Sequence, residues 1–152
     1  MTVELSTRQI SEAGKLLVQY RLQLEGVDSE RNSPGSRPHL VAAGSSTIEV
    51  YSNREPRPAG GKGRLALAWT LDGASSADLV AVTDLSTDRV WLFRREEAFT
   101  LAQQHPASGG HHLVMVTDPG LTRSKHDRIL DTDFSEFLLE RRAGELLRPQ
   151  AA

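Results

Sequence analysis

The sequence predicts a mixed α/β (α+β) domain in which helices flank a mixed central β-sheet. Three observations indicate this class: an amphipathic helix begins near Ser6, a turn-linked pair of short strands lies between Arg37 and Ser52, and further strands and helices follow. Of the 152 residues, 38% are hydrophobic and 25% charged, as is common in globular proteins. We therefore expect one domain over residues 1–152, with frayed ends at 1–5 and 148–152.

The first helix is predicted to run from Ser6 to Gly26. Ser6 and Gln9 have the spacing of a capping box, and Gly26 is a favourable position for the helix to end. Apolar residues recur between them at helical spacing, and we expect this stripe to pack on the sheet. The stripe comprises Ile10, Ala13, Leu17, Tyr20 and Leu24.

The hairpin is the next strong signal. Residues 40–43 form a short apolar run, and Gly44-Ser45-Ser46 supplies a turn, because glycine accepts positive φ and serine bonds its own backbone. Alternation over residues 47–51 then places Glu49 and Tyr51 on one face of the second strand. These two side chains should lie near His39, which begins the first strand.

The remaining elements follow from local composition. They are a strand over 27–32, a turn-rich connector over 33–38, a loop over 53–63, an edge strand over 65–71, a buried strand over 79–84, its hairpin partner over 89–93, a short helix over 94–104, a strand over 113–116 and a final helix from 133. Trp69 should anchor the edge strand, and Phe134, Phe137 and Leu138 should form the core side of the last helix.

The hairpin resembles the core of the PD-(D/E)XK nuclease superfamily, which has the restriction-endonuclease-like fold. In that family the second strand opens with a metal-binding Asp, and the third carries Glu or Gln, any residue, and Lys on one face. Here His39 stands at the Asp position, Glu49 matches the acid, and Tyr51 stands at the Lys position. Lys15, beside Gly14, falls where the first helix of the family often carries Glu. The resemblance, which spans residues 12–136, implies a retained fold with a degenerate catalytic set.

This resemblance favours a non-cleaving module that binds nucleic acid or a protein. Two alternatives stay open: an active Mg²⁺-dependent nuclease with relocated residues, and a structural or assembly protein on the same fold. In the active alternative, Lys15 would replace the missing lysine, and Glu12, Asp28 or Glu30 would supply a second acid.

No residue is assigned a catalytic role or a metal, because Lys15, His39, Glu49 and Tyr51 are the degenerate positions. Magnesium is implied only by the active alternative, and otherwise no cofactor is expected. We expect instead an ion pair between Lys15 and Glu49 in the former metal cavity, because a buried carboxylate needs a compensating cation.

Charge is unevenly distributed along the chain, although the net charge is only −2. The segment from Arg31 to Arg64 contains six basic residues and two acids, Glu49 and Glu55. The residues predicted to contact a DNA or RNA backbone are Arg37, Arg54, Arg57, Lys62 and Arg64. A solvated arginine-rich loop is the alternative interpretation, and a protein partner or homodimer remains a further possibility.

Composition excludes several other classes. The chain has no cysteine, which excludes disulfides and thiolate metal sites and fits the cytoplasmic location that we predict. Residues 1–5 lack a signal-peptide pattern, and no apolar run approaches the roughly 20 residues needed to cross a bilayer. We therefore expect no membrane partner.

Overall fold

The computed structural model describes residues 3–33, 37–59, 64–102, 110–117 and 131–147. Its strands, in chain order, are β1 (Ser29–Arg31), β2 (Leu40–Ala42), β3 (Ser46–Asn53), β4 (Arg57–Ala59), β5 (Arg64–Asp72), β6 (Leu79–Asp84), β7 (Arg89–Arg94) and β8 (Gly110–Val116). Its helices are α1 (Thr7–Leu24), α2 (Arg95–Leu101), a 3₁₀ helix (Asp131–Phe137) and α3 (Leu139–Leu146). The predicted α+β class, with a mixed sheet flanked by helices, is confirmed. The predicted frayed segment 148–152 lies outside the described residues.

The larger sheet has the strand order β1-β2-β3-β6-β7. Its one parallel pair joins β3 to β6, and the other three neighbouring pairs are antiparallel. The predicted hairpin is the β2–β3 pair, in which Leu40 lies opposite Ile48. Strand β6 is buried along its whole length, because this sheet is covered on both faces.

The smaller sheet has the order β4-β5-β8 and corrects two predictions. The segment 53–63, predicted as a loop, contains β4, which pairs with β5. Strand β5, predicted as an edge strand, is central because it also pairs with β8 from Ala66 to Asp72. The prolines on both sides of Arg57 led to the prediction of a loop. Proline is nevertheless tolerated on an edge strand, and β4 is one.

Helix α1 begins as predicted but buries a different face. Ser6 and Gln9 form the capping box. The buried side chains are Val18 and Leu22, in line with Gly14, whereas Tyr20 and Leu24 are each 59% exposed. The prediction that Tyr20 and Leu24 pack on the sheet is therefore wrong, because the backbone of α1 approaches the sheet at Gly14.

The C-terminal helix is interrupted. The 3₁₀ helix ends at Phe137, and Leu138 is extended and forms a β-bridge with Trp91 before α3 begins. Phe134 is buried, and Phe137 and Leu138 are partly buried against the same core, as predicted for the core side of this segment.

Two apolar cores lie on opposite faces of the larger sheet. The first joins α1 and α3 to residues such as Ile48, Val50 and Leu92. The second joins the smaller sheet and Phe134 to Val82, Trp91 and Phe93. Alternating residues of β7 therefore contribute to both cores.

None of the helices among the described residues combines the length and the apolar character that crossing a membrane requires.

Candidate functional site

The hairpin brings His39, Glu49 and Tyr51 together on the face that turns toward β5. His39 directly precedes β2, and its Nδ1 lies 3.9 Å from Glu49 Oε2. Tyr51 follows Glu49 by two residues on β3 and packs against the second core. Helix α1 covers the opposite face of β3.

Glu49 is the most deeply buried charged residue of this group, at 1% exposure. Burial raises the pKa of its carboxyl above the usual value of 4.5, while the positive charge of Arg37 acts in the opposite direction. Arg37 Nε lies 3.3 Å from Glu49 Oε2. The guanidinium is therefore the cation that compensates this carboxylate.

Arg37 also contacts a second acid and so joins the two sheets. Its Nη1 donates a hydrogen bond to Asp72 Oδ2, at the end of β5. The backbone N–H of Asp72 donates to the hydroxyl oxygen of Tyr51 at 3.0 Å, and burial raises the pKa of that phenol above 10.0. We call Arg37, Glu49 and Asp72 the Arg37 clamp.

The imidazole of His39 is held neutral by its surroundings. Its Nδ1 accepts a hydrogen bond from the backbone N–H of Val50 at 2.9 Å. Burial, supported by the positive charges of Lys15 and Arg37, lowers the pKa of His39 from 6.5 to about 4. His39 therefore caps the end of the β2–β3 ladder.

Comparison with known proteins identifies the fold but no sequence family. No protein-family model matches the chain, and no curated protein sequence matches it. Among solved structures, the bacterial homing endonuclease I-Ssp6803I is similar over 95% of this chain and 94% of that chain, with a TM-score of 0.63 and 12% sequence identity. The chain has a nuclease-like fold. At this identity the similarity concerns the fold alone.

A metal-dependent nuclease would need oxygen donors for a divalent cation at this site. Magnesium requires near-octahedral oxygen ligands, chiefly carboxylates and water. Here the guanidinium of Arg37 lies 3.3 Å from Glu49 Oε2, a buried oxygen that accepts no hydrogen bond, and the nearest nitrogen of His39 is occupied by a backbone N–H. No group of three or more His, Asp or Glu side chains among the described residues is placed to hold a metal ion. With Arg37 in contact with both Glu49 and Asp72, this site leaves no free pair of carboxylates to ligate magnesium.

The predicted ion pair between Lys15 and Glu49 does not form. Lys15 Nζ lies 3.6 Å from Glu12 Oε1, and Arg31 contacts the other oxygen of the same carboxylate. Because α1 packs on the face of β3 that carries Val50, Lys15 influences Glu49 only at longer range. Arg37 takes the role that the sequence assigned to Lys15.

The predicted nucleic-acid contacts have different environments. Arg37 is 47% exposed despite its two carboxylate partners. Arg54 is half-buried after β3, and Arg57 is exposed on β4. Lys62 lies outside the described residues, and Arg64 is described only as the backbone start of β5.

Sequence reasoning gives Asp72 no role in the site and gives Arg37 a different one. The two residues are separated by 35 positions, and the segments around them carry no shared signal. The only local hint is a single acid directly after the apolar run of β5. The contact depends on the packing of two sheets, which the sequence does not predict.

Proposed function

We propose that this nuclease-like domain binds nucleic acid without cleaving it. The observation that carries the proposal is the position of Arg37, whose guanidinium lies against Glu49 where a metal-dependent nuclease would need a free carboxylate. The resemblance to the PD-(D/E)XK superfamily supports nucleic-acid binding, as does the similarity in fold to a homing endonuclease.

The cations suited to backbone binding lie around the β4–β5 hairpin. Arg57 is exposed on β4, opposite Ala66 of β5, and Arg54 precedes it. Lys62 lies between these two strands in the sequence, and Arg64 is the first residue of β5. Phosphate contacts of this kind fix position without reading the sequence of the nucleic acid.

The alternative of a nuclease with relocated residues receives less support. Glu12, one substitute acid, is held by both Lys15 and Arg31. Asp28 accepts a hydrogen bond from the side chain of Gln23. These carboxylates thus serve local contacts of α1 and β1.

Salt-dependent binding tests the proposal. Fluorescence anisotropy with labelled single- and double-stranded DNA and RNA should show affinity that falls steeply with salt, because phosphate contacts release counterions. Arg54→Ala and Arg57→Ala should each weaken binding about 3–10-fold and reduce the salt slope by about 1 per lost contact. Arg141→Ala, an exposed arginine on α3, is the matched control and should bind like the unchanged protein.

Cleavage assays decide between the alternatives. Incubation of the same substrates with Mg²⁺ or Mn²⁺ should leave them intact. Metal-dependent cleavage that Glu49→Gln abolishes would establish an active nuclease instead. Absence of binding to every substrate at low salt would favour a structural or assembly role.

A further inference from the structure

The end of β5 carries a dipeptide with a reactivity of its own. Asp72 and Gly73 form the one Asp-Gly sequence of the chain. An aspartate side chain can react with the backbone nitrogen of the next residue, and glycine leaves that nitrogen accessible because it has no Cβ. The reaction converts aspartate to isoaspartate, in which the backbone continues through the former side-chain carboxyl group.

The rearrangement proceeds in two balanced steps. The Gly73 nitrogen loses its proton and forms a bond to Asp72 Cγ, while one carboxyl oxygen leaves as water; the product is a cyclic succinimide. Water then adds to either carbonyl of the ring and breaks the bond between that carbonyl and the nitrogen. Opening at one carbonyl restores aspartate, and opening at the other gives isoaspartate of the same mass. The sequence of steps needs water alone and no oxidant or reductant.

The structure leaves the reacting groups accessible. The side chain of Asp72 is 40% exposed, so water reaches its carboxyl group. Among the described residues, the Gly73 N–H has no hydrogen-bond acceptor, so its nitrogen loses no contact on reacting. The Ala74 N–H donates to Asp72 Oδ1 at 2.9 Å, and this local turn folds the carboxyl group back toward the backbone that follows it.

The same hydrogen bonds restrain the reaction. Arg37 Nη1 donates to Asp72 Oδ2, and the Ala74 N–H donates to Oδ1. Whichever oxygen leaves as water must therefore give up its donor, and a hydrogen bond between charged groups is the stronger of the two. Because Arg37 also contacts Glu49, the hydrogen bond that restrains Asp72 belongs to the Arg37 clamp.

We propose that Asp72–Gly73 is a modification site at which isoaspartate forms spontaneously, at a rate that the Arg37 clamp controls. The product has one more carbon in its backbone, and its carboxylate is attached directly to Cα. That carboxylate no longer fits both of its present donors, Arg37 and Ala74, so the modification opens the clamp at β5. The inference does not depend on nucleic-acid binding.

Incubation of the folded protein at neutral pH in water enriched in ¹⁸O tests the proposal. Mass spectrometry of the digested protein, with electron-transfer fragmentation, locates isoaspartate and the incorporated oxygen. The unchanged protein should slowly accumulate labelled isoaspartate at position 72. Arg37→Ala should do so roughly 2–5-fold faster, as expected for the loss of one partly exposed ion pair. Gly73→Ala should form little, because its Cβ hinders the nitrogen.

Two controls separate the clamp from a general loss of stability. Gly14→Ala introduces a steric clash under α1 but leaves Asp72 and its donors in place, so position 72 should react as in the unchanged protein. Asp28–Ser29 is an internal reference in every sample, and its reaction should not accelerate in Arg37→Ala. Equal rates in Arg37→Ala and the unchanged protein would overturn the proposal. Equal acceleration by Gly14→Ala, or no isoaspartate at position 72 in any variant, would do the same.

Discussion

Glu49 lies on β3 at 1% exposure, and a charged carboxylate at that depth needs a partner of opposite charge. Arg37 supplies this charge while remaining half exposed itself. At the scale of the residue, the electrostatics of the site therefore depend on Arg37, whose side chain reaches Glu49 from outside the hairpin.

Replacing Arg37 by alanine should destabilise the protein in a pH-dependent way. Burial raises the pKa of Glu49 in the folded state, so the folded state binds the proton more tightly than the unfolded chain. The resulting stabilisation is complete below about pH 4.5 and is lost as the pH rises through the folded pKa. We expect Arg37→Ala to lose about 1–2 kcal/mol of unfolding free energy near pH 8 and less near pH 5.

Urea denaturation at both pH values measures this effect. The double variant Arg37→Ala with Glu49→Gln is the control, since it has no buried charge and should lose the additional pH dependence. Equal destabilisation at both pH values would show that the Arg37 clamp does not stabilise the ionised carboxylate of Glu49.

His39 gives a second prediction at this scale. Its pKa is lowered to about 4, so the unfolded chain binds a proton before the folded chain does. The contribution of His39 to stability is therefore full above about pH 6.5 and is lost as the pH falls toward 4. Imidazole resonances followed by NMR, assigned with His39→Gln, should titrate with a midpoint near 4; a midpoint near 6.5 would contradict the neutral, capping role.

At the scale of the element, α1 approaches β3 so closely that only glycine fits at position 14. A Cβ on Gly14 would lie 1.6 Å from Ser52 Oγ and 2.6 Å from Ser52 Cβ. Either the helix or Ser52 must shift if any side chain is added there. This contact sets which face of α1 is buried.

Gly14→Ala should therefore destabilise the protein by about 2–3 kcal/mol, because overpacking outweighs the better helix propensity of alanine. Gly144 is the matched control: it lies in α3, and a Cβ there meets nothing within 4 Å. Gly144→Ala should stabilise the protein by about 0.5–1 kcal/mol. Thermal unfolding of both variants measures the difference, and stabilisation by both would contradict the close approach.

The same element shows what sequence can predict and what it cannot. The bounds of α1 follow from local signals at Ser6, Gln9 and Gly26, and the structure agrees with them closely. The buried face does not follow, because the stripe with Tyr20 and Leu24 is as apolar as the buried row. Steric fit between Gly14 and Ser52 decides between them, and that fit joins residues distant in sequence. The Arg37–Asp72 contact escapes sequence reasoning for the same reason.

At the scale of the whole molecule, the two sheets pack against each other through a pair of tryptophans. Trp69 of β5 and Trp91 of β7 have ring centroids 5.8 Å apart, and the Trp69 indole donates a hydrogen bond to the Thr83 carbonyl. Each tryptophan is at most 2% exposed. The smaller sheet therefore shares its core with the larger one.

Shared packing of this kind predicts a single cooperative unfolding transition. Trp69 and Trp91 are the two tryptophans of the chain, so fluorescence reports on the contact between the sheets while far-UV circular dichroism reports on the helices and strands. The two denaturation curves should coincide. Earlier loss of the fluorescence signal would show that the smaller sheet detaches first. Trp69→Phe should lower the midpoint of both curves together.

The pairing of β5 with β8 has a consequence for the nascent chain. Ala66 pairs with Val116, so at 5–20 residues per second the ribosome needs roughly 3–10 s to add the partner after β5 emerges. During that interval β8 does not yet cover Leu67, Trp69 and Leu71. All three side chains are buried in the folded protein. Translation speed through residues 73–116 should therefore govern how much of the newly made protein aggregates.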